Sequence, residues 1–266
     1  MLTSLIGLGL GAGVIAYGVA ETGSIGLLFN LHGIFIVIGG VLAATLVNSD
    51  GKELLVALQG AKMVFRPRRV IDHDSLISRL AQLAQVARRE GLFGVHGELI
   101  GTDSPFLKSA LDIAMVSANP ELLRSNLETK AEVEMHNEIE ASNLFRTMGV
   151  FAPMFGLIGT IFGIVRVLQN LSNPDSIGPS MALALTSALY GIVFSNLLCV
   201  PIANKIRSRA LEMGTEHAMV IEAVVDMAAG LSPALIEAKL RGVYAEWLGG
   251  PMDRERMAAE ARRAKP

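Results

Sequence analysis

Residues 148–168 read MGVFAPMFGLIGTIFGIVRVL, and Arg166 is the one charged side chain among them. A hydrocarbon core of about 30 Å takes about 20 helical residues to cross, so this stretch is long and apolar enough to do it. Backbone amides in lipid must bond within their own segment, so the stretch is read as a helix despite Pro153. Three more segments share its character: 2–20, 26–47 and 181–203. No Lys or Arg precedes the first, and a second long apolar run follows closely, so a retained helical hairpin is expected rather than a cleaved signal.

The charges lie between and after these segments. Twelve Lys and Arg fall in 49–146 and ten in 204–266, so 22 of 23 share one side. The connectors 21–24 and 170–180 hold none. By the positive-inside rule both polar regions and both termini are cytoplasmic. The expected fold is an all-α integral membrane protein with four transmembrane helices and a large helical cytoplasmic domain. Residues 1–48 hold transmembrane helices 1 and 2, 49–146 the cytoplasmic helical domain, 147–203 helices 3 and 4, and 204–266 cytoplasmic C-terminal helices with a frayed tail. The composition agrees: 51% of the residues are hydrophobic and the mean hydropathy is +0.46.

The cytoplasmic regions read as helical. Leu76, Leu80, Leu83 and Val86 recur at spacings near three and four within 74–90. Residues 121–143 alternate in charge, as an exposed or helix-packing surface does. Ser104–Pro105 reads as a turn before a helix over 106–116, and Gly230 and Pro233 separate helical patterns at 209–229 and 233–248. Residues 253–266 read as a frayed end.

Small residues mark the membrane segments. Gly7, Gly9, Gly11 and Gly13 in the first, and Gly159 and Gly163 in the third, form Gly-xxx-Gly pairs that let helix backbones approach. On a helix, Pro153, Gly156, Thr160 and Gly163 share one narrow face; Ala184, Ser187, Ala188, Gly191 and Ser195 form a similar face on the fourth segment. Such faces either line a polar path or bond their hydroxyls back to helix carbonyls.

No Asp or Glu lies within any of the four segments. Ion routes through membranes generally need an ionisable group near the midplane, so a conducting role requires a carboxylate from another chain. Arg166 reads as snorkelling to the outer interface. No G-x-x-x-x-G-K-[ST], H-E-x-x-H or G-x-S-x-G occurs, and the five histidines are scattered, so no enzyme activity, cofactor or metal site is expected. The net charge of −2 gives no reason to expect nucleic acid, and the single cysteine, Cys199, lies in an apolar run.

Several stretches together resemble the MotA/PomA family of flagellar stator subunits, within the wider MotA/TolQ/ExbB group. Residues 151–163, FAPMFGLIGTIFG, are similar to the family's third-span motif. Residues 178–191, GPSMALALTSALYG, followed by PIANK at 201–205, are similar to its fourth-span motif. ARREGL at 87–92 and AGLSPALIEAKL at 229–240 resemble its loop and tail motifs. Two segments ahead of the large cytoplasmic region match MotA and PomA, whereas TolQ and ExbB place one there.

The resemblance implies a homopentamer around a dimer of a MotB/PomB-like single-span protein that supplies the aspartate, set in membrane lipid in the bacterial inner membrane. Ion passage, H+ or alternatively Na+, would drive the rotor protein FliG. Carried over by position, Thr160, Thr186, Ser187, Ala188 and Tyr190 are the ion-path residues. Pro153 and Pro201 are the coupling prolines, and Arg88, Arg89, Glu90 and Glu98 the rotor contact. There are departures. The family's loop glutamate falls at His96, with Glu98 two residues on as its replacement. A sodium-associated threonine of the family is Ala188 here, which favours protons, since a proton needs no ring of hydroxyl oxygens. Arg166 has no counterpart in the pattern. The competing readings are a TolQ/ExbB-like energiser of outer-membrane transport or gliding, and a non-conducting membrane scaffold.

Overall fold

The same punctuation starts four helices. Ser104–Pro105, Asn119–Pro120, Asn173–Pro174 and Ser232–Pro233 each put a polar cap ahead of a proline at the first helical position. The cap side chain takes a free amide of the first turn, and proline is tolerated there because its missing N–H would have no partner. The bonds are present: Ser104 Oγ accepts from Leu107 N at 3.4 Å, Asn119 Oδ1 from Glu121 N at 2.8 Å, and Asn173 Oδ1 from Asp175 N at 3.3 Å.

The computed structural model describes residues 2–21, 29–64, 73–98, 104–117 and 119–248. In chain order the helices are α1 (Leu2–Glu21), α2 (Leu31–Asn48), α3 (Gly51–Val64), α4 (His73–Glu98), α5 (Pro105–Val116), α6 (Pro120–Gln169), α7 (Pro174–Ala228) and α8 (Pro233–Leu248). Phe35–Gly39 in α2 and Phe194–Cys199 in α7 are π-helical turns. No strand occurs among the described residues. Three of these helices, α2, α6 and α7, are long and apolar enough to cross a membrane, and α1 is a further apolar helix of 20 residues.

Some boundaries differ from the sequence expectation. α2 starts at Leu31, not near 26, because Asn30 Oδ1 caps it by accepting from His32 N and Gly33 N; residues 26–28 lie outside the described ones. The segment at 148–168 is the last part of a single 50-residue helix, and 181–203 lies inside a 55-residue one. Nothing between 121 and 148 breaks α6, since that stretch holds neither Gly nor Pro. α4 also runs beyond 90, through a sharp break at Gly91 (φ 76°, ψ 178°), a region open chiefly to glycine. Residues 253–266 lie outside the described ones.

The chain forms two compact units, one from Met1–Arg68 with His136–Arg209, the other from Arg69–Met135 with Ala210–Pro266. In the second, a core forms from Ile77, Leu80 and Leu83 of α4, Phe106 and Leu111 of α5, Leu123 and Leu127 of α6, Met219 and Val224 of α7, and Ile236 and Leu240 of α8. Each such side chain contributes roughly 2 kcal/mol through burial. In the first, Leu157, Ile161, Ile164, Leu185 and Ile192 stay exposed. A large apolar surface of this kind is covered by lipid or protein in a stable assembly.

Candidate ion-path site

Helices α6 and α7 meet through glycine. A methyl placed on Gly191 would lie 2.5 Å from the Ala152 carbonyl oxygen, and one on Gly163 2.7 Å from both the Ala184 nitrogen and the Ser180 carbonyl oxygen. One on Gly156 would meet the Ser187 carbonyl oxygen at 3.0 Å. The helices therefore touch backbone to backbone, as small-residue faces allow in a membrane. Gly33 of α2 joins them, with its missing Cβ facing Ser187 Oγ at 2.9 Å and the Tyr190 ring at 3.4 Å.

This packing divides the residues expected along the ion path. Thr186 and Ser187 are buried, at 2% and 0% exposure. Their hydroxyls donate to the Ala182 and Leu183 carbonyls, each at 2.7 Å, bonding back to their own helix. Thr160, Ala188 and Tyr190 are half-buried. The Thr160 hydroxyl donates to Leu157 O at 2.6 Å, and Tyr190 Oη accepts from the Asn30 amide at 2.9 Å, tying the start of α2 to α7. The expected narrow face of α6 is split as well. Gly156, Gly159 and Gly163 are buried towards α7, whereas Pro153 is exposed and Thr160 sits on the flank beside it. Pro201 is exposed, two residues past the end of the π-turn of α7.

Arg88, Arg89 and Glu90 are exposed on the last turn of α4 before Gly91. The side chains of His96 and Glu98 lie outside the described ones. Arg166 is exposed in the last turn of α6. Among the described residues no three His, Cys, Asp or Glu are grouped to hold a metal ion.

One charged cluster escaped the sequence reading. Arg124 of α6 donates to both oxygens of Glu222 on α7, at 2.7 and 3.1 Å, and Lys239 of α8 lies 2.6 Å from Glu222 and 2.9 Å from the buried Asp226. The Arg124 hydrogen bonds, helped by Lys239, hold the Glu222 carboxyl down at about 2 against the opposing effect of burial. Arg124 and Lys239 are raised for the same reason. Alternating charges in 121–143 marked Arg124 as charged but not its partner 98 residues away. His217 of α7 was also not singled out. It is buried, stacks on Phe106 at 3.7 Å, and is pushed below its usual range by desolvation, which Glu134 and Glu216 oppose.

Known proteins match this architecture along nearly its whole length. The profile of the MotA/TolQ/ExbB proton channel family matches residues 99–219. Motility protein A of Borreliella burgdorferi is 32% identical over 240 residues, covering 90% of this chain and 92% of that protein. Chemotaxis protein PomA of Vibrio alginolyticus is 27% identical over 245 residues, covering 92% and 96%. The flagellar MotAB stator complex from Bacillus subtilis contains a chain that superposes with a TM-score of 0.82 at 27% identity, covering 97% of this chain and 100% of that one. With glycine-packed spans, two long helices shared by both compact units and this extent of likeness, the chain belongs to the MotA/TolQ/ExbB proton channel family, among its motility protein A members.

Proposed function

We propose that this chain is the ion-conducting, torque-generating stator subunit of a bacterial flagellar motor. In this reading α1 and α2 and the membrane parts of α6 and α7 give four spans in the inner membrane, with both termini in the cytoplasm. Five copies surround a dimer of a MotB/PomB-like partner. The observation that carries the reading is the exposed flank of α6, where Pro153 and Thr160 stand beside a membrane segment that lacks any carboxylate of its own. A partner aspartate placed against that flank completes an ion site. Thr186 and Ser187 then support the path from behind, as part of the packing that shapes it. Pro153 and Pro201 mark where the helix ladder is interrupted and bending is cheapest. Arg88, Arg89, Glu90 and Glu98 would meet charges on FliG. Ala188 in place of a hydroxyl favours protons over sodium.

Proton uptake tests the channel. Cells co-expressing this chain with an unplugged form of its partner are expected to acidify internally, and replacing the partner's membrane aspartate by asparagine is expected to stop it. No uptake, with both chains in the membrane, contradicts the reading and favours a non-conducting scaffold.

A further inference from the structure

Pro153 lies inside α6. Proline has no N–H, so the carbonyl four residues earlier loses its helical donor. On α6 that carbonyl belongs to Gly149, and it is met from another helix: Ser195 Oγ of α7 donates to Gly149 O at 2.7 Å. Ser195 is 5% exposed, a setting in which an unpaired carbonyl is costly.

Ser195 takes part in the second irregularity too. It lies in the π-turn Phe194–Cys199, and the Val200 N–H reaches back five residues to the Ser195 carbonyl. Pro201 follows directly and brings no N–H of its own. Gly149 permits the approach, since even a methyl there would stand 3.3 Å from Cys199 Cβ and Val200 Cγ2. A return bond runs the other way, from Ser142 Oγ of α6 to the Ala203 carbonyl of α7 at 2.9 Å. Single π-turns recur where helices must deform for function.

We propose that Ser195 is the positioning residue that couples the two prolines: its hydroxyl holds the carbonyl that Pro153 leaves free, and its carbonyl belongs to the widened turn ahead of Pro201. A change of bend at one proline then shifts the other. This inference rests on the stator reading for its consequence, but its geometry does not.

The test uses the full chain with its partner and the variants Ser195→Ala, Ser195→Thr and Pro153→Ala. The first readout is the thermal midpoint of the purified complex. Ser195→Ala is expected to lower it by several degrees in the native background and far less in Pro153→Ala, where residue 153 supplies its own N–H to Gly149. Equal lowering in both backgrounds overturns the proposal. The second readout is stall torque. Ser195→Ala is expected to cut it about twofold or more at unchanged membrane abundance, with recovery in Ser195→Thr, which keeps the hydroxyl. A packing role would reverse that order, because threonine adds bulk. Native torque from Ser195→Ala, or greater loss in the threonine variant, overturns the proposal. If the native chain produces no rotation, the stator reading fails while the thermal readout still decides on Ser195.

Discussion

Glu222 receives both Arg124 and Lys239, and its depressed pKa is a statement about stability. A carboxyl ordinarily at 4.5 and held at about 2 in the folded chain adds stability that is complete above pH 4.5 and fades as pH falls towards 2. The shift corresponds to on the order of 3 kcal/mol at neutral pH. Glu222→Gln is therefore expected to melt well below the native chain at pH 7 and to converge with it near pH 2, as followed by circular dichroism of the solubilised chain. His217 acts in the same direction in another window. Its folded pKa lies below the usual 6.5, so its contribution is full above pH 6.5 and lost as pH falls. His217→Leu is expected to flatten the melting temperature between pH 6.5 and 5; an unchanged slope contradicts the burial account. Neither residue could be found from sequence, because what defines each is a partner far away in the chain.

At the scale of elements, much was legible. Apolar length marked long apolar helices at 148–168 and 181–203, and Ser104–Pro105, Gly230 and Pro233 marked helix ends. Gly230, at φ 76°, closes α7 with paired bonds from Gly230 N to Met227 O and Leu231 N to Asp226 O. What was hidden is continuity. A hydropathy change within α6 looks like a boundary, yet the backbone crosses it without interruption, since nothing there favours a turn over a helix. The small faces were also legible as small but not by direction: Ser187 is buried against α6 and α2, whereas Ala188 beside it is half-buried. The glycine contacts yield a sharp contrast. Gly191→Ala is expected to drive α6 and α7 apart and lower the thermal midpoint by several degrees, while Gly178→Ala, a helical position that meets open space, leaves it unchanged or slightly raised. Equal effects contradict the packing described. Gly91→Ala, at φ 76° and ψ 178°, is expected to cost on the order of 1–3 kcal/mol in the same assay.

For the whole molecule, the missing carboxylate is the organising fact. The four apolar segments hold hydroxyls, prolines and glycines but no acid, so an ion route through them would take its carboxylate from another chain. That much was plain in the sequence, because composition within a span needs no structure to count. The central claim is that the chain turns ion flow into rotation, and bead rotation tests it most directly. A stator-deficient cell is given this chain and its partner under inducible control, and a bead on a tethered flagellum is tracked. Rotation is expected to rise in discrete equal steps as units join the motor, and to be lost with Pro153→Leu at normal membrane abundance. A stationary bead with both native chains in the membrane, or undiminished stepping with Pro153→Leu, would contradict it.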